Sequence, residues 1–433
     1  MAPRTEQAAV TAAGGDDGAI INKPKYNKKY AVGHKEDANA GPLFIHLYGK
    51  RVNVTNWLSK HPGGRKVLHV FQDRDATEQF EAMHSKEARK QLDGFLNKSE
   101  PVPEGQSGDT KFFENPVRKD MVELRQKLEK QGLFKPNILF EVTKLLYVFG
   151  SILGGQYIMY AFPEHLYLGM LLVILGWHQA GWVGHDYSHH SVFASPVLND
   201  QVSTIVGALQ GYNLMWWKAR HNTHHVVTNE VGNDPDIKTS PLFHFIQQYP
   251  DLNKKLKSIQ RYQHIYYVPA MAILDLYWRF ESIEFIARRF KKMRFDALLL
   301  VAHYTGLAFV YSTTGFWPIY ICMLVRGWLT GLIVFSSHYA EERIDPDAHM
   351  PFLEQTVRTS HNISGSSLWH FFTGYISMQA EHHLFPTMPR SNLPYVQPLV
   401  RELCLKHKLP YGEDNIIECV RHNIRSLTPK KIE

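Results

Sequence analysis

Cysteine is scarce in this chain, and its absence from paired motifs excludes several classes of protein. The 433 residues include three cysteines, Cys322, Cys404 and Cys419, and no CxxC pair. A disulfide framework or a zinc site built from thiolates is therefore excluded, and we expect a reducing compartment. Histidine, by contrast, occurs 24 times. Imidazole is accordingly the metal ligand to expect.

Charge is almost absent from two long apolar runs. Residues 145–184 contain one charged side chain, Glu164, and residues 297–337 contain one, Arg326. About 20 apolar residues span a bilayer, so each run predicts two membrane helices joined by a tight turn. We expect these four helices at 145–162, 166–183, 297–313 and 317–337. Because a charge that faces lipid is costly, Arg326 is expected to face the helix bundle or a polar cavity.

The positive charge of the chain follows the predicted membrane topology. The net charge is +7, with 13 Lys and Arg in residues 184–296, 10 in residues 339–433 and none in the two short hairpin turns. By the positive-inside rule, both termini and the large loop are expected in the cytosol. The sequence lacks a recognisable nucleic-acid-binding motif, so no nucleic-acid partner is expected. The amphipathic segment 265–278 is too short to span and is expected along the membrane surface.

Composition divides the chain into four parts. Residues 1–42 lack a continuous apolar stretch and are expected to form a flexible leader, not a secretory signal. The sequence of residues 43–98 predicts a compact segment that begins with a strand, a turn and a second strand. Residues 99–140 contain a linker rich in Pro, Gly, Ser and acids, and then a charged amphipathic helix. Residues 141–433 contain the apolar runs and several histidine clusters.

Two histidines in the compact segment are candidates for a pair of axial heme ligands. His61 opens the motif HPGG, and His84 follows 23 residues later. Two axial imidazoles close both free positions of a heme iron, which suits electron transfer better than oxygen chemistry. Together with the preceding IHLYGKRVNVT and the FEAMHS around His84, the segment resembles the cytochrome b5 family. The resemblance implies a heme b held by His61 and His84.

Three histidine clusters accompany the apolar runs. HDYSHH begins at His185, where the second predicted membrane helix reaches the cytosol, HNTHH begins at His221, and QAEHH begins at Gln379. Histidines at i, i+3 and i+4 share one side of a helix, and an even number of spans places all three clusters on one side of the membrane. So many nitrogen ligands exceed the capacity of one ion and predict two. Among metals that accept imidazole, iron can also activate oxygen.

The clusters, their order and the fused heme segment resemble the front-end subgroup of the membrane fatty acyl desaturases. That subgroup has boxes of the form HDxxH, HxxHH and QxxHH, and the LFPTMPR after the third box is also similar. The resemblance implies these di-iron ligands: His185, His189, His221, His224, His225, His338, His382 and His383. It leaves open whether His190 and Gln379 bind iron directly or through water. Other histidines match no ligand position and are expected to be structural: His178, His303, His361 and His370.

The resemblance also implies an activity. The protein would use O2, and electrons from NADH delivered by a cytochrome b5 reductase through the heme, to introduce a cis double bond into a polyunsaturated fatty acyl chain. The bond would lie between an existing double bond and the carboxyl end, at position 5 or 6, on acyl-CoA or phospholipid. The acyl chain would enter from the membrane lipids, and the expected location is the endoplasmic reticulum. Four tryptophans are candidates for the tunnel wall, with belt or core packing as the alternative: Trp177, Trp182, Trp216 and Trp217.

The expected fold is a mainly α membrane protein. Four transmembrane helices in two hairpins carry a cytosolic helical cap with a di-iron site, preceded by an α+β heme domain similar to cytochrome b5. Three alternative functions remain open: a sphingolipid long-chain-base desaturase, a di-iron hydroxylase or ketolase, and a membrane heme electron carrier without a catalytic di-iron site. The mass of the product separates desaturation from hydroxylation, and the iron content separates either enzyme from a carrier.

Overall fold

The structure of the protein, a computed structural model, describes residues 41–106, 114–239, 242–243 and 259–428. Most of these residues are helical, so the predicted mainly α fold is confirmed. Of the expected leader, residues 1–40 lie outside the described residues. The described chain forms a small N-terminal domain, a connecting helix, two long helical hairpins and a helical cap.

The N-terminal domain is built on a small antiparallel sheet. Strand β1 (Phe44–Leu47) pairs with β2 (Lys50–Asn53), which pairs at its start with β3 (Glu100–Pro101). Tyr48 and Gly49 form the turn between β1 and β2 with φ values of 52° and 74°, the left-handed geometry that suits a two-residue hairpin. The predicted strand, turn and second strand are therefore present. The domain also contains α1 (Arg65–His69), α2 (Thr77–Met83) and α3 (Lys86–Leu96).

A connecting helix, α4 (Pro116–Lys130), leads from this domain to the rest of the chain. The Asn115 side chain accepts the first free amide of the helix, and proline occupies its first turn, where a missing N–H costs nothing. The buried side chain of Arg125 donates to the carbonyl oxygens of Ala82 and His84, at 3.2 and 3.3 Å. The predicted amphipathic helix thus holds one side of the N-terminal domain.

Beyond α4 the described chain forms the hairpins and the cap. Its helices, in chain order, are α5 (Ile138–Ala161), α6 (Leu166–Ser188), α7 (Pro196–Gln210), α8 (Leu214–Val226), α9 (Gln263–Ala270), α10 (Leu274–Arg288), α11 (Arg294–Thr314), α12 (Phe316–Ser336), α13 (Phe352–Thr359), α14 (Ser367–Phe372), α15 (Gln379–Leu384), α16 (Leu393–Lys406) and α17 (Ile416–Leu427). Two short strands, β4 (Asn362–Ile363) and β5 (Glu413–Asp414), pair in parallel within the cap. Helices α5, α6, α11 and α12 have the length and apolar composition to cross a membrane, which confirms the prediction of four spans.

The first hairpin extends further into the charged sequence than predicted. Helix α5 begins at Ile138, not at residue 145, and α6 continues to Ser188, not to residue 183. The added turns contain buried carboxylates that two cations neutralise, because Lys144 Nζ lies 2.6 Å from the Glu141 carboxylate and 2.5 Å from that of Asp186, and Arg390 Nε lies 3.2 Å from Asp186. A prediction from apolar runs ends a membrane helix at the first charged residue. The ion pairs let these helices continue past it.

Two glycines allow the helices of the first hairpin to lie close together. A Cβ atom built on Gly155 would lie 2.8 Å from the carbonyl oxygen of Gly169 on the facing helix, and one built on Gly169 would overlap Met159. Small residues at such crossings let backbones approach, which is how helices in lipid gain packing contacts. The second hairpin packs against this pair mainly through α12 and α6, and through α11 and α5.

Arg326 faces the protein interior, as predicted. Its side chain is fully buried, and Nη1 lies 2.6 Å from the Asp275 carboxylate. Its Nη2 atom donates to Gln210 at 3.0 Å and to the Tyr212 hydroxyl at 2.5 Å. The other oxygen of Asp275 accepts from Arg279 at 2.7 Å. One carboxylate therefore serves two buried guanidinium groups.

The segment expected along the membrane surface, residues 265–278, spans the end of α9 and the start of α10. It has one buried face, which includes Met271 and Asp275, and one exposed face, which includes Ile265 and Ile273. The amphipathic character is therefore present in three dimensions. Its location at a membrane surface stays a prediction.

The shared carboxylate generates the first testable prediction. Asp275→Asn removes the negative charge between two buried cations, and an uncompensated buried charge costs about 3–5 kcal/mol. We expect the free energy of unfolding, measured by denaturant titration in detergent, to fall by about 3 kcal/mol. The matched control is Glu284→Gln, because Glu284 pairs with Arg288 on the surface and its side chain is 43% exposed. That variant should change stability by less than about 0.5 kcal/mol, and equal effects of the two variants would contradict our account of Asp275.

Candidate metal centre and heme site

The predicted histidine clusters meet on one side of the membrane helices and divide into two groups. The boxes lie at the end of α6, on α8, and on α15, and His338 follows the end of α12. Five imidazoles form the first group: His185, His189, His221, His225 and His382. Three form the second: His224, His338 and His383. Within each group, one ligand-capable atom from every residue lies within 4.8 Å of the others. The eight implied ligands are thus brought together.

The ring nitrogens of the first group point at one another. His221 Nε2 lies 3.2 Å from His185 Nε2 and 2.9 Å from His225 Nε2, which in turn lies 3.1 Å from His382 Nε2. The Nε2 atom of His189 is buried and has no hydrogen-bond partner among the described residues. A ring nitrogen carries either one proton or one lone pair, so hydrogen bonds cannot satisfy this whole chain of contacts. A shared metal cation would accept all of these lone pairs, so the donor set fits a metal.

Burial keeps these rings in the form that binds metals. Burial and the neighbouring imidazoles lower the pKa of His189, His221, His225 and His382 well below the usual value. In the second group the same causes lower the pKa of His383, whereas burial is outweighed at His224, where the Asp234 and Asp236 carboxylates raise the pKa. A neutral imidazole offers its lone pair without first losing a proton. The first group is therefore ready to bind a metal at neutral pH.

The second group is oriented by hydrogen bonds to the outer nitrogen of each ring. His224 Nδ1 lies 2.9 Å from the Asp234 carboxylate. His338 Nδ1 lies 2.7 Å from a carbonyl oxygen, that of Thr359, and His383 Nδ1 lies 3.1 Å from the hydroxyl of Thr228. Such partners fix the tautomer and direct Nε2 inward. The sequence did not reveal these three partners, because Thr228 and Asp234 lie in the irregular segment after α8, and Thr359 is the last residue of α13, 21 positions from His338.

Gln379 lies with the second group. Its Nε2 atom is 2.6 Å from His338 Nε2 and 3.0 Å from His383 Nε2, and its buried Oε1 lacks a hydrogen-bond partner in the described part of the chain. A half turn of the amide exchanges nitrogen and oxygen and directs the acceptor toward the two imidazoles. The third box therefore supplies an amide where the other boxes supply a ring.

His190 points away from both groups. Its backbone is left-handed, with φ of 56°, and its Nε2 atom lies 2.8 Å from the Asp200 carboxylate and 2.7 Å from Lys218 Nζ.

The four histidines expected to be structural also have other neighbours. His178 contacts the carbonyl of Phe372, for example. His361 lies between the carboxylates of Glu341 and Asp414, at 3.2 Å from each.

A cavity of about 250 Å³ lies beside both groups. Both contribute to its wall, the first through His185 and His221 and the second through His224 and His338. Much of the remaining wall is apolar: Trp182, Leu214, Trp217, Leu274, Phe335 and Ile376. Such an apolar space suits a hydrocarbon chain held next to the imidazoles.

The tryptophans considered as tunnel residues have different positions. Trp182 and Trp217 line the cavity, and the ring of Trp217 stacks on His221 with centroids 4.0 Å apart. Trp177 packs instead in the buried core between membrane helices. Trp216 is buried and does not border this cavity. Sequence position alone could not separate these three environments.

The predicted heme ligands face each other in the N-terminal domain. The ring centroids of His61 and His84 lie 5.9 Å apart. Each Nδ1 atom is within reach of a backbone carbonyl, that of Gly64 at 3.2 Å and that of Phe80 at 3.0 Å. Both Nε2 atoms are therefore left as the ligating nitrogens. Burial and the nearby His61 lower the pKa of His84 to about 4, and burial lowers that of His61.

Comparison with known proteins matches both parts of the chain. Residues 161–415 match the family described as fatty acid desaturase, and residues 28–100 match the family described as cytochrome b5-like heme/steroid binding domain. An acyl-lipid 8-desaturase of Rebecca salina is 48% identical over 90% of this chain and 92% of its own length. A Delta(8)-fatty-acid desaturase of Euglena gracilis is 31% identical over 85% and 90% of the two chains. A Delta(6)-fatty-acid desaturase of Caenorhabditis elegans is 29% identical over 90% and 97%.

The two groups of imidazoles generate a prediction about metal content. His382→Ala removes an inward-facing ring from the first group, and His224→Ala removes one from the second. We expect both variants to lose non-heme iron and at least about 100-fold in turnover, since even an outer partner of a ligand contributes about 10–100-fold. The heme absorbance should be unchanged, because His61 and His84 lie in another domain. Iron analysis of the purified protein, with and without heme extraction, measures the result.

His190→Ala provides the matched control for that measurement. It removes an imidazole next to the first box whose nitrogen faces Asp200 and Lys218. We therefore expect this variant to retain its non-heme iron. Loss of iron from His190→Ala, or normal product from either of the other two variants, would show that the ligand groups are wrongly assigned.

Proposed function

We propose that this chain, which belongs to the fatty acid desaturase family and to its front-end members with a fused cytochrome b5 domain, inserts a cis double bond between an existing double bond and the carboxyl end of a polyunsaturated acyl chain. The observation that carries the proposal is the apolar cavity whose wall includes rings from both imidazole groups. The protein is a fatty acid desaturase, and the relative that is 48% identical is named an acyl-lipid desaturase.

The two groups of imidazoles would hold two irons. When bound, these irons supply the oxygen-dependent oxidant that an unactivated C–H bond requires and that no side chain provides. We assign one iron to the group of five rings and the other to the group of three, with Gln379 beside the second. Asp234 and Thr359 hold their rings in the tautomer that presents Nε2. The apolar wall excludes water from the acyl chain.

His61 and His84 would hold a heme with both axial positions closed. Such a heme accepts and releases electrons without binding oxygen, so its role is to supply electrons. We propose that an NADH-dependent cytochrome b5 reductase reduces it. Attachment to the same chain raises the effective concentration of this donor near the cavity. The corresponding parts would be residues 43–98 for the heme domain, 99–140 for the linker and connecting helix, and 141–433 for the desaturase domain.

Membership of a membrane desaturase family and the four long apolar helices make this a membrane protein. We propose that it resides in the endoplasmic reticulum with both termini in the cytosol. The excess of Lys and Arg outside the short hairpin turns supports this orientation. It would give the imidazole groups and the heme domain access to the same soluble reductant.

The names of the relatives support a proposal for the position of the new bond. The relative that is 48% identical is named an 8-desaturase, and the other relatives reported above are named for positions 8 and 6. We therefore propose position 8, in place of the expectation of 5 or 6, and a phospholipid-bound acyl chain. The position of the bond depends on how far the acyl chain enters the cavity beside the imidazoles.

Substrate feeding tests the reaction and the position together. The chain is expressed in a host that lacks polyunsaturated lipids, one fatty acid is supplied at a time, and new double bonds are located by mass spectrometry. We expect a product that has lost two hydrogens, with the new bond at position 8 and in phospholipid before the acyl-CoA pool. A new bond at position 5 or 6 would overturn the assigned position. A product that has gained oxygen, or an altered sphingoid base, would overturn the proposed reaction or substrate.

The heme route has its own test. His61→Ala removes one axial ligand, so we expect the reduced heme spectrum to disappear and turnover to stop while the non-heme iron remains. The wild-type chain should contain one heme iron and two non-heme irons. Retained activity of His61→Ala without an added carrier would contradict the electron route, and a fully loaded wild-type chain with heme iron alone would contradict the enzyme.

A further inference from the structure

The N-terminal domain packs directly on α8, the helix that carries the second histidine box. The HPGG turn provides the contact. A Cβ atom built on Gly64 would lie 3.4 Å from the side chain of Ala219, and one built on Gly63 would lie 3.8 Å from Asn222 Nδ2. Asn222 directly follows His221 in the sequence. The turn that contains His61 therefore contacts the same helical turn that contains metal-facing histidines.

One ion pair ties the two parts together beside this contact. Both Nη atoms of Arg74 reach the Glu230 carboxylate, at 2.8 and 2.9 Å, and the Glu230 side chain is 3% exposed. Val226 and Val227, at the end of α8, pack in the hydrophobic core of the N-terminal domain. A bidentate guanidinium–carboxylate pair specifies orientation as well as proximity. The contact therefore has a defined geometry.

The same ion pair is connected to the second imidazole group. The carbonyl oxygen of Glu230 accepts the amide of Asp234, at 3.0 Å, and the Asp234 side chain orients His224. Next to the other heme ligand, Arg125 of α4 donates to the carbonyl of His84. The chain segments next to both heme ligands are thus fixed to elements outside the domain.

We propose that Arg74 and Glu230 are positioning residues that hold the heme domain in one orientation on α8, so that electrons pass to the metal centre from a docked heme. The proposal rests on the function proposed above, in which the heme is the electron donor. The linker alone would keep the domain nearby in many orientations, whereas the ion pair selects one of them. Each transfer oxidises the ferrous heme by one electron. One double bond needs two such electrons, which, with two protons and the two hydrogens of the acyl chain, reduce O2 to two waters.

Heme reoxidation in the complete holoenzyme tests the docking. The heme is reduced anaerobically with stoichiometric dithionite, the protein is mixed with oxygenated buffer and acyl substrate, and the heme absorbance is followed. His224→Ala, which lacks a ligand of the second group, gives the background rate of heme autoxidation. The wild-type chain should reoxidise faster than this background. If it does not, the heme is not the donor, and the electron route of the proposed function fails before docking is considered.

Arg74→Glu is the variant that addresses the ion pair. Placing a second carboxylate against Glu230 should slow the substrate-dependent phase by about tenfold or more, with unchanged heme and iron contents. Arg74→Gln, which removes the charge without repulsion, should give a smaller loss in the same direction. Lys98→Glu is the matched control, because it makes the same charge reversal at an exposed site after α3. It should reoxidise at the wild-type rate.

The charge-swapped pair provides the decisive comparison. Arg74→Glu combined with Glu230→Arg restores opposite charges across the contact, and we expect its rate to return to within about threefold of wild type. Three results would overturn the proposal: a wild-type rate in Arg74→Glu, an equal loss in Lys98→Glu, or a swapped chain with full metal content that is as slow as Arg74→Glu. A merely structural role for Arg74 would instead appear in Arg74→Glu as lower stability or metal content beside the slower rate, and that result would also overturn the proposal.

Discussion

The site depends on bringing eight imidazole rings into one buried space. Each ring nitrogen buried without a partner costs about 1–3 kcal/mol, so this arrangement is unfavourable by itself. In the second group a carboxylate, a carbonyl and a hydroxyl satisfy the outer nitrogens, from Asp234 for His224, Thr359 for His338 and Thr228 for His383. The inner nitrogens are left to a cation. Metal binding and folding of the cap are therefore coupled, because the same lone pairs that destabilise the empty cap bind the metal.

Helical spacing predicted that each box would present its histidines together, but it could not assign them to two groups. In the second box, His221 and His225 are four residues apart and join the same group, whereas His224 joins the other. In the third box the adjacent residues His382 and His383 separate in the same way. Successive side chains on a helix are rotated by about 100°, so neighbours diverge. The partner in each group comes from a distant segment, which a single sequence does not identify.

Buried charge shows both the strength and the limit of reasoning from the sequence. Because a charge facing lipid is costly, Arg326 was predicted to face inward, and it does. Its partner, Asp275, lies 51 positions earlier, in a segment predicted only to lie along the membrane surface. The start of α5 was placed too late for a related reason. Glu141 and Lys144 are charged, so the apolar run begins after them, and only the structure shows that they pair with each other. Charge predicts where a side chain must be neutralised, and tertiary structure provides the neutralising group.

Helix α8 connects electron supply and metal binding through one short element. Ala219 and Asn222, three residues apart, lie next to the HPGG turn, whereas His221 and His225, four residues apart, face the first imidazole group. Residues three or four apart share one side of a helix, so each pair has its own side, and the two pairs lie on different sides of α8. A helix of 13 residues therefore contacts the heme domain with one side and supplies metal-facing rings with the other. Since a helix is rigid over this length, a shift of the heme domain against Ala219 would reach the histidines directly, and the orientation of the docked domain and the geometry of the metal centre cannot vary independently.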